Sequence, residues 1–126
     1  MLHNNCFFSE IVDLDFLNEN LSGNVEQYSE MISIFLTQSQ EKIAILKKAI
    51  NEENFTLIKE ASHFLRSSFT IMGLRSKNLL VEIENLSSQL KDIEKIKTLS
   101  NSMLINYNES IIEYERILSC FVKNNN

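Results

Sequence analysis

Apolar residues recur every three or four positions along most of the chain, the spacing that places them on one face of an α-helix. Polar stretches interrupt this spacing at residues 22–24, at residues 51–54 and near Gly73, and we expect connections there. The pattern predicts one short helix followed by four long amphipathic helices. Their predicted bounds are residues 13–21, 24–50, 54–72, 76–90 and 92–122.

Several predicted helix ends carry residues suited to helix termini. Asn24 is a favourable N-cap, and Gln27 follows three residues later, as in a capping box. Thr37 and Gln40 repeat that spacing inside the second helix, which predicts either a kink or a restart at that point. Gly73 follows the last apolar residue of the third helix and is expected to end it.

The composition and the short connections favour one all-α domain. Hydrophobic residues fill 44% of the 126 positions, glycine occurs twice and proline is absent, so the chain lacks the turn residues that a β-fold requires. Four long helices with short loops predict an antiparallel four-helix bundle, to which the short N-terminal helix is added at one end. We expect a single domain over residues 1–126, with its core in about 13–122, in which Tyr107 and Tyr114 are core residues with a polar tip.

Charge and hydropathy exclude several classes of function. The 12 basic and 17 acidic residues give a net charge of −5, so the basic surface of a nucleic-acid-binding protein is missing. No apolar run approaches the length of a membrane span, and the N-terminal residues lack the basic and apolar regions of a secretory signal. We therefore expect a cytoplasmic protein in which Cys6 and Cys120 are reduced, with a disulfide between the two chain ends as the alternative.

His63 stands out because it lies on the polar side of the third predicted helix. The apolar residues of that segment occupy the other side, so a core position for the imidazole is disfavoured and we expect it to face solvent. The residues three, four and seven positions from His63 are all polar: Thr56, Lys59, Glu60, Arg66, Ser67 and Thr70.

This constellation is suited to phosphoryl transfer. A neutral imidazole has a nitrogen lone pair that can attack phosphorus, and Arg66 offers a permanent charge and several donors for phosphoryl oxygens. Ser67 is short and leaves room above His63 for a partner, and Lys59 adds positive charge that Glu60 partly offsets. Without a wider pattern, the same residues would describe an ordinary solvated helix face.

The wider pattern is present, because residues 49–74 resemble the histidine-containing phosphotransfer (HPt) domain family. That family has a short polar turn, then a helix with a histidine followed by a leucine, a basic residue and small residues, and a glycine ten positions after the histidine. The resemblance extends over about residues 13–120. The matching positions are His63, Leu65, Arg66, Ser68 and Gly73.

The resemblance implies a phosphorelay protein that takes a phosphoryl group on His63 and passes it on. The expected partners are receiver domains of response regulators and of a hybrid histidine kinase, with Mg²⁺ on the receiver and no cofactor on this chain. Arg66 is expected to stabilise the phosphoryl group, and Lys59, Ser67 and Thr70 to contact the partner. The family usually has glycine where this chain has Ser67, so we expect altered partner choice or transfer rate.

Three other interpretations compete with this one. Glu60 and His63 form an E-x-x-H pair of the kind that di-iron bundles use, but those bundles need the pair twice, and the only other histidine is His3. A histidine kinase dimerisation helix places an acidic residue after its histidine and a proline a few positions on; Phe64 stands here, and no nucleotide-binding box is present. The third is a degenerate HPt domain that binds signalling partners without carrying phosphate.

Overall fold

The computed structural model describes residues 6–124, and within this range the regular structure is helical, with no β-strand. This confirms the all-α class, and the elements are consistent with a helical bundle. None of the helices in this range is long and apolar enough to cross a bilayer. The helices are α1 Asp15–Leu21, α2 Val25–Asn51, α3 Phe55–Met72, α4 Lys77–Ser88 and α5 Ile93–Asn124.

Asparagine side chains cap two of the helices, the predicted cap Asn24 and Asn54, which was not predicted as a cap. The side-chain oxygen of Asn24 accepts a hydrogen bond from the backbone N–H of Gln27 at 3.0 Å, and that of Asn54 accepts one from the N–H of Leu57 at 3.2 Å. The predicted restart at Thr37 is wrong, because α2 continues through this position as one helix. The buried positions Phe35, Ser39 and Ile43 keep their helical spacing across Thr37, so packing of this face overrides the local capping signal.

The remaining differences from the predicted bounds are small. α1 begins at Asp15, two residues later than predicted, and Asp13 before it donates its backbone N–H to the carbonyl of Gly73. α4 ends at Ser88, and Leu90 beyond it has a left-handed backbone with φ +55°. α5 extends without a break for 32 residues, or about 48 Å at 1.5 Å per residue.

The core is formed by the inward faces of the long helices. α5 contributes a stripe with alternating spacings of three and four residues, which packs between α2 and α4. Phe69 of α3 stacks on Tyr107 of α5 with ring centroids 5.9 Å apart, and Phe35 of α2 packs edge-on against the same tyrosine. The stripe on α5 consists of Ile96, Ser100, Met103, Tyr107, Ser110, Tyr114, Ile117 and Phe121.

Tyr107 and Tyr114 are core residues with a bonded polar tip, as predicted. The Tyr107 hydroxyl lies 2.8 Å from the Ser39 hydroxyl, and the Tyr114 hydroxyl donates to the backbone carbonyl of Met72 at the end of α3. Burial raises the pKa of both tyrosines, because the ionised phenolate is poorly solvated there. These bonds tie α5 to α2 and to the C-terminal end of α3.

Residues 6–14 form a segment that we call the N-terminal strap, and it crosses the end of the bundle where α3 finishes. The N–H of Asp13 donates to the carbonyl of Gly73 at 2.9 Å. Gly73 has a left-handed backbone, with φ +69°, and ends α3 as predicted. A Cβ atom at this position would overlap the carbonyl of Asp13, so the glycine is also required for close approach of the strap.

The strap also overturns the prediction that the cysteines are reduced. Cys6, at the start of the strap, forms a disulfide with Cys120 of α5, with the two Cα atoms 5.6 Å apart. The chain separates these residues by 114 positions, and they meet because the strap folds back over the last turns of α5. We call this part of the molecule, where the strap meets Gly73, Tyr28 and Phe121, the strap end.

Candidate functional site

As predicted, His63 lies on the side of α3 that faces away from the core, midway along the helix. Its side chain is 58% exposed. The helix turns this face outward because its apolar positions recur with helical spacing and are buried by the neighbouring helices. An exposed imidazole can be reached by another protein without any unfolding of the bundle. The buried residues of α3 are Ile58, Ala61, Ser62, Leu65, Phe69 and Met72.

The imidazole is held from α4 by a residue that sequence reasoning missed. Nδ1 of His63 lies 2.9 Å from Oε2 of Glu84, whose side chain is only 14% exposed. A carboxylate accepts hydrogen bonds and does not donate them, so we assign the proton to Nδ1, from where it is donated to Glu84. Nε2 then carries the lone pair, and it has no hydrogen-bond partner among the described residues.

Arg66, one turn after His63, completes the cluster. Its Nε lies 3.5 Å from Oε1 of Glu84, and its Nη2 lies 3.3 Å from Nδ1 of His63. Because Nδ1 already donates its proton to the carboxylate, we interpret the distance between Nη2 of Arg66 and Nδ1 of His63 as a close approach and not a hydrogen bond. The attraction that holds Arg66 here is its ion pair with Glu84. Oε1 of Glu84 is otherwise buried without a hydrogen bond. The carboxylate thus restrains the imidazole and the guanidinium together.

A groove of about 790 Å³ lies beside the imidazole, with walls from α2, α3 and α4. Phe64 and Ile71 supply apolar surface, and Lys42 of α2 places its ammonium 4.8 Å from the centre of the Phe64 ring. This contact positions a cation of α2 on the same face as His63. The groove therefore combines an apolar surface with a positive charge and a nucleophilic nitrogen.

The structure brings most of the predicted site residues together and separates one. Lys59 and Ser67 line the groove with His63, and so does Glu60. Thr70 lies in a different cleft, which is lined by the strap and by the connection between α3 and α4. Its hydroxyl donates to the carbonyl of Arg66 at 2.9 Å, a bond within the helix.

Glu84 could not be singled out in the sequence, although its position carried a partial signal. It lies one position after the buried Ile83 and three positions before the buried Ser87. This spacing places it at the border between the inner and outer faces of α4. A carboxylate at such a border can reach a neighbouring helix. The same helix also carries Glu82, which instead pairs with Lys95 at 3.1 Å, and only the packing of α4 against α3 decides between the two.

A second possible chemistry at this site is metal binding through Glu60 and His63. Both residues line the groove. In the part of the chain that the structure describes, no group of three or more histidine, cysteine or acidic side chains is placed to hold a metal ion.

The chain was compared with known proteins at the level of family, sequence and structure. No protein-family model matches it, and neither do any of the curated proteins or solved structures. Its function is therefore inferred from its own residues.

Proposed function

We propose that this chain is a histidine phosphotransfer protein of a multistep two-component phosphorelay, with α2 to α5 as an antiparallel four-helix bundle and α1 as an addition. It accepts a phosphoryl group on His63 from a receiver-domain aspartate and passes it to another receiver. The observation that carries this proposal is the hydrogen bond from Nδ1 of the exposed His63 to Glu84, which leaves Nε2 as the nucleophile.

In the proposed step the Nε2 lone pair attacks the phosphorus of the aspartyl phosphate. The N–P bond forms while the P–O bond to the receiver's carboxylate breaks, and the carboxylate leaves with that electron pair. The proton stays on Nδ1, so the ring acquires positive charge. The carboxylate of Glu84, 2.9 Å from Nδ1, stabilises that charge, and it favours the same geometry when the phosphoryl group moves on.

Arg66 supports the transfer from the same face. Its side chain is 37% exposed, and its guanidinium is paired with Glu84 at 3.5 Å. It can therefore offer its remaining donors to the phosphoryl oxygens while its Nε stays near the carboxylate. An Arg66→Ala variant should transfer phosphate more slowly by a modest factor and still become phosphorylated.

The groove beside His63 is proposed as the docking surface for the receiver. Lys42 and Lys59 place positive charge near the incoming aspartyl phosphate, and Phe64 and Ile71 offer apolar contact area. Ser67 replaces the family's usual glycine at this surface and adds a hydroxymethyl group.

We propose that the phosphoryl group comes from receivers, including that of a hybrid kinase, and not from ATP. Mg²⁺ is then bound by the receiver, and the relay is cytoplasmic.

The groove also supports a second candidate, a binding module that engages signalling partners without carrying phosphate. Its apolar wall, formed by Phe64 and Ile71, would suit such a partner equally well. The two candidates differ in whether His63 is required.

A phosphotransfer assay tests the proposal. Receiver domains loaded with labelled phosphate are mixed with the wild-type chain, with His63→Gln and with the matched control His3→Gln, which replaces the chain's other histidine. We expect label that is acid-labile and alkali-stable on the wild type and on His3→Gln, and none on His63→Gln. If folded wild-type protein takes no label from a broad panel of receivers, the binding module is the better description.

A further inference from the structure

The N-terminal strap is anchored firmly at its inner end. Val12 and Leu14 are 1% and 4% exposed and belong to the core, and Asp13 between them is bonded to Gly73. We call the outer part, residues 6–11, the latch segment. It has no β-strand, and beyond the short turn at its start it has no helical structure.

The latch segment is tethered at its outer end by the disulfide. Cys6 is 1% exposed and is bonded to Cys120 of α5. Beside it, the ring of Phe7 packs against Tyr28 and Phe121, with centroid distances of 5.3 and 5.4 Å. The covalent bond thus fixes Phe7 over an aromatic pair that joins the start of α2 to the end of α5.

Four hydrogen bonds connect residues 7–10 of the latch segment to side chains of the rest of the protein, two of them exposed and two partly buried. The guanidinium of Arg116 donates to the carbonyl of Phe8 at 3.3 Å. The side-chain amide of Asn18 donates to the carbonyl of Phe7 at 3.1 Å. Arg75 reaches the carbonyl of Glu10, and the Ser9 hydroxyl donates to Glu113. Each hydrogen bond of this kind contributes only modestly to stability, so together they hold the segment weakly against its gain in conformational entropy on release.

Beyond Cys6 and Phe7, the two large apolar side chains of the latch segment are also partly or largely exposed. Phe8 is 62% exposed and Ile11 is 37% exposed. Only Cys6 and Phe7 at the outer end make extensive contacts. Once the covalent tether is removed, little apolar burial remains between residues 8 and 11 to keep the segment in place.

We propose that Cys6–Cys120 is a redox latch: reduction releases residues 6–11 and uncovers the Tyr28–Phe121 pair, while α2 to α5 stay folded. The buried residues Val12 and Leu14 mark the hinge at which release stops. The latch is independent of the proposed phosphotransfer, because it involves neither His63 nor its groove.

The reaction is thiol–disulfide exchange with a dithiol reductant. A reductant thiolate attacks Sγ of Cys120, the more accessible of the two sulfurs, and Cys6 leaves as a thiolate. The second reductant thiol then attacks the mixed disulfide and releases Cys120. Two electrons pass to the protein, two protons are taken up by the cysteine sulfurs, and the reductant becomes a disulfide.

Limited proteolysis with chymotrypsin tests the latch. The oxidised protein and the protein treated with dithiothreitol are digested, quenched and fully reduced, and cleavage after Phe7 and Phe8 is followed by mass. Cleavage after Phe64, inside α3, is the internal reference for unfolding of the bundle. We expect at least tenfold faster cleavage after Phe7 and Phe8 on reduction, and an unchanged rate after Phe64.

Two variants separate the covalent tether from the other contacts. Cys6→Ser/Cys120→Ser should be cut at the fast rate whether or not reductant is present. Ser9→Ala removes noncovalent contacts only, namely the hydrogen bonds of the hydroxyl with Glu113 and with the N–H groups of Ile11 and Val12. The oxidised variant should be cut within about twofold of the oxidised wild type. The proposal is overturned if protein that has not been treated with reductant contains free thiols. It is also overturned if reduction leaves the rate of cleavage after Phe7 and Phe8 unchanged, or if cleavage after Phe64 accelerates equally.

Discussion

At the His63 face the imidazole is 58% exposed and is oriented by one carboxylate, whereas at the strap end Tyr114 is fully buried and its hydroxyl donates to a backbone carbonyl. The first region has an accessible nucleophile with few packing contacts. The second has close backbone approach, aromatic packing and a disulfide.

This difference separates stability from chemistry within one small protein. Substitution of an exposed side chain removes few buried contacts, so changes at the His63 face should alter transfer while the free energy of unfolding changes little. Changes at the strap end disturb buried groups, so they should lower the free energy of unfolding and leave the proposed transfer by folded protein little changed. Single substitutions in either region test that separation.

The largest effect on stability is expected from Gly73→Ala. The added Cβ overlaps the carbonyl of Asp13, and the left-handed backbone at this position is unfavourable for alanine. We expect a loss of about 4 kcal/mol or more in the free energy of unfolding, measured by urea denaturation with circular dichroism.

Gly23→Ala is the matched control for that substitution. Gly23 also has a left-handed backbone, with φ +75°, but a Cβ there meets no atom within 4 Å. Only the backbone cost of about 1 kcal/mol remains. Equal losses for the two variants would show that close approach of the strap contributes nothing at Gly73.

The strap end also explains which parts of the fold the sequence could predict. Helical spacing and the Asn24 cap are local, so they indicated the helices and most of their ends. The strap contacts are not local: Asp13 meets Gly73 and Cys6 meets Cys120 only because helices that are distant in sequence end at the same place. No periodicity in residues 6–14 signals either contact.

The candidate site divides in the same way. His63, Arg66 and the other residues of α3 share a face through helical spacing, which the sequence reveals directly. Glu84 comes from another helix, and its contact with His63 depends on the packing of α4 against α3. Thr70 was grouped with His63 by its spacing of seven residues, yet it lines a different cleft because the strap lies beside that part of α3.

Alkaline pH should weaken the protein through its buried tyrosines. Burial raises the pKa of Tyr28 to about 12 and raises those of Tyr107 and Tyr114 as well. In the unfolded chain these groups ionise near pH 10, so above that pH the unfolded state binds fewer protons than the native state. The free energy of unfolding should then fall by up to about 1.4 kcal/mol per pH unit for each tyrosine.

Urea denaturation between pH 8 and pH 11 checks this expectation. Tyr114→Phe should be less stable at pH 8, because the carbonyl of Met72 loses its donor, but should show a shallower decline above pH 10. A stability that stays flat from pH 9 to pH 11 would contradict the burial of these hydroxyls.

At the His63 face, Glu84→Ala should slow phosphotransfer by roughly tenfold to a hundredfold. The loss corresponds to one hydrogen bond to a charged group, about 1.5–3 kcal/mol. Glu84→Gln keeps an acceptor for Nδ1 but not the charge, so its rate should lie between those of the wild type and Glu84→Ala. Single-turnover transfer from a labelled receiver gives the rates, and equal rates for all three proteins would remove Glu84 from the site.

The smallest effect is expected from Ser67→Gly, which introduces the residue usual in the HPt family that the sequence resembles. Ser67 lines the groove, and its hydroxyl makes only a long contact of 3.4 Å with the carbonyl of His63. Glycine should lower the free energy of unfolding by about 0.5 kcal/mol through its poorer helix propensity. Ser102→Gly, at an exposed position of α5, should cost a similar amount of stability without changing transfer. If Ser67→Gly raises the transfer rate several-fold and Ser102→Gly does not, the hydroxymethyl group limits how closely a receiver approaches His63. If Ser67→Gly and the wild type transfer at equal rates, Ser67 lies in a part of the groove that the receiver does not contact.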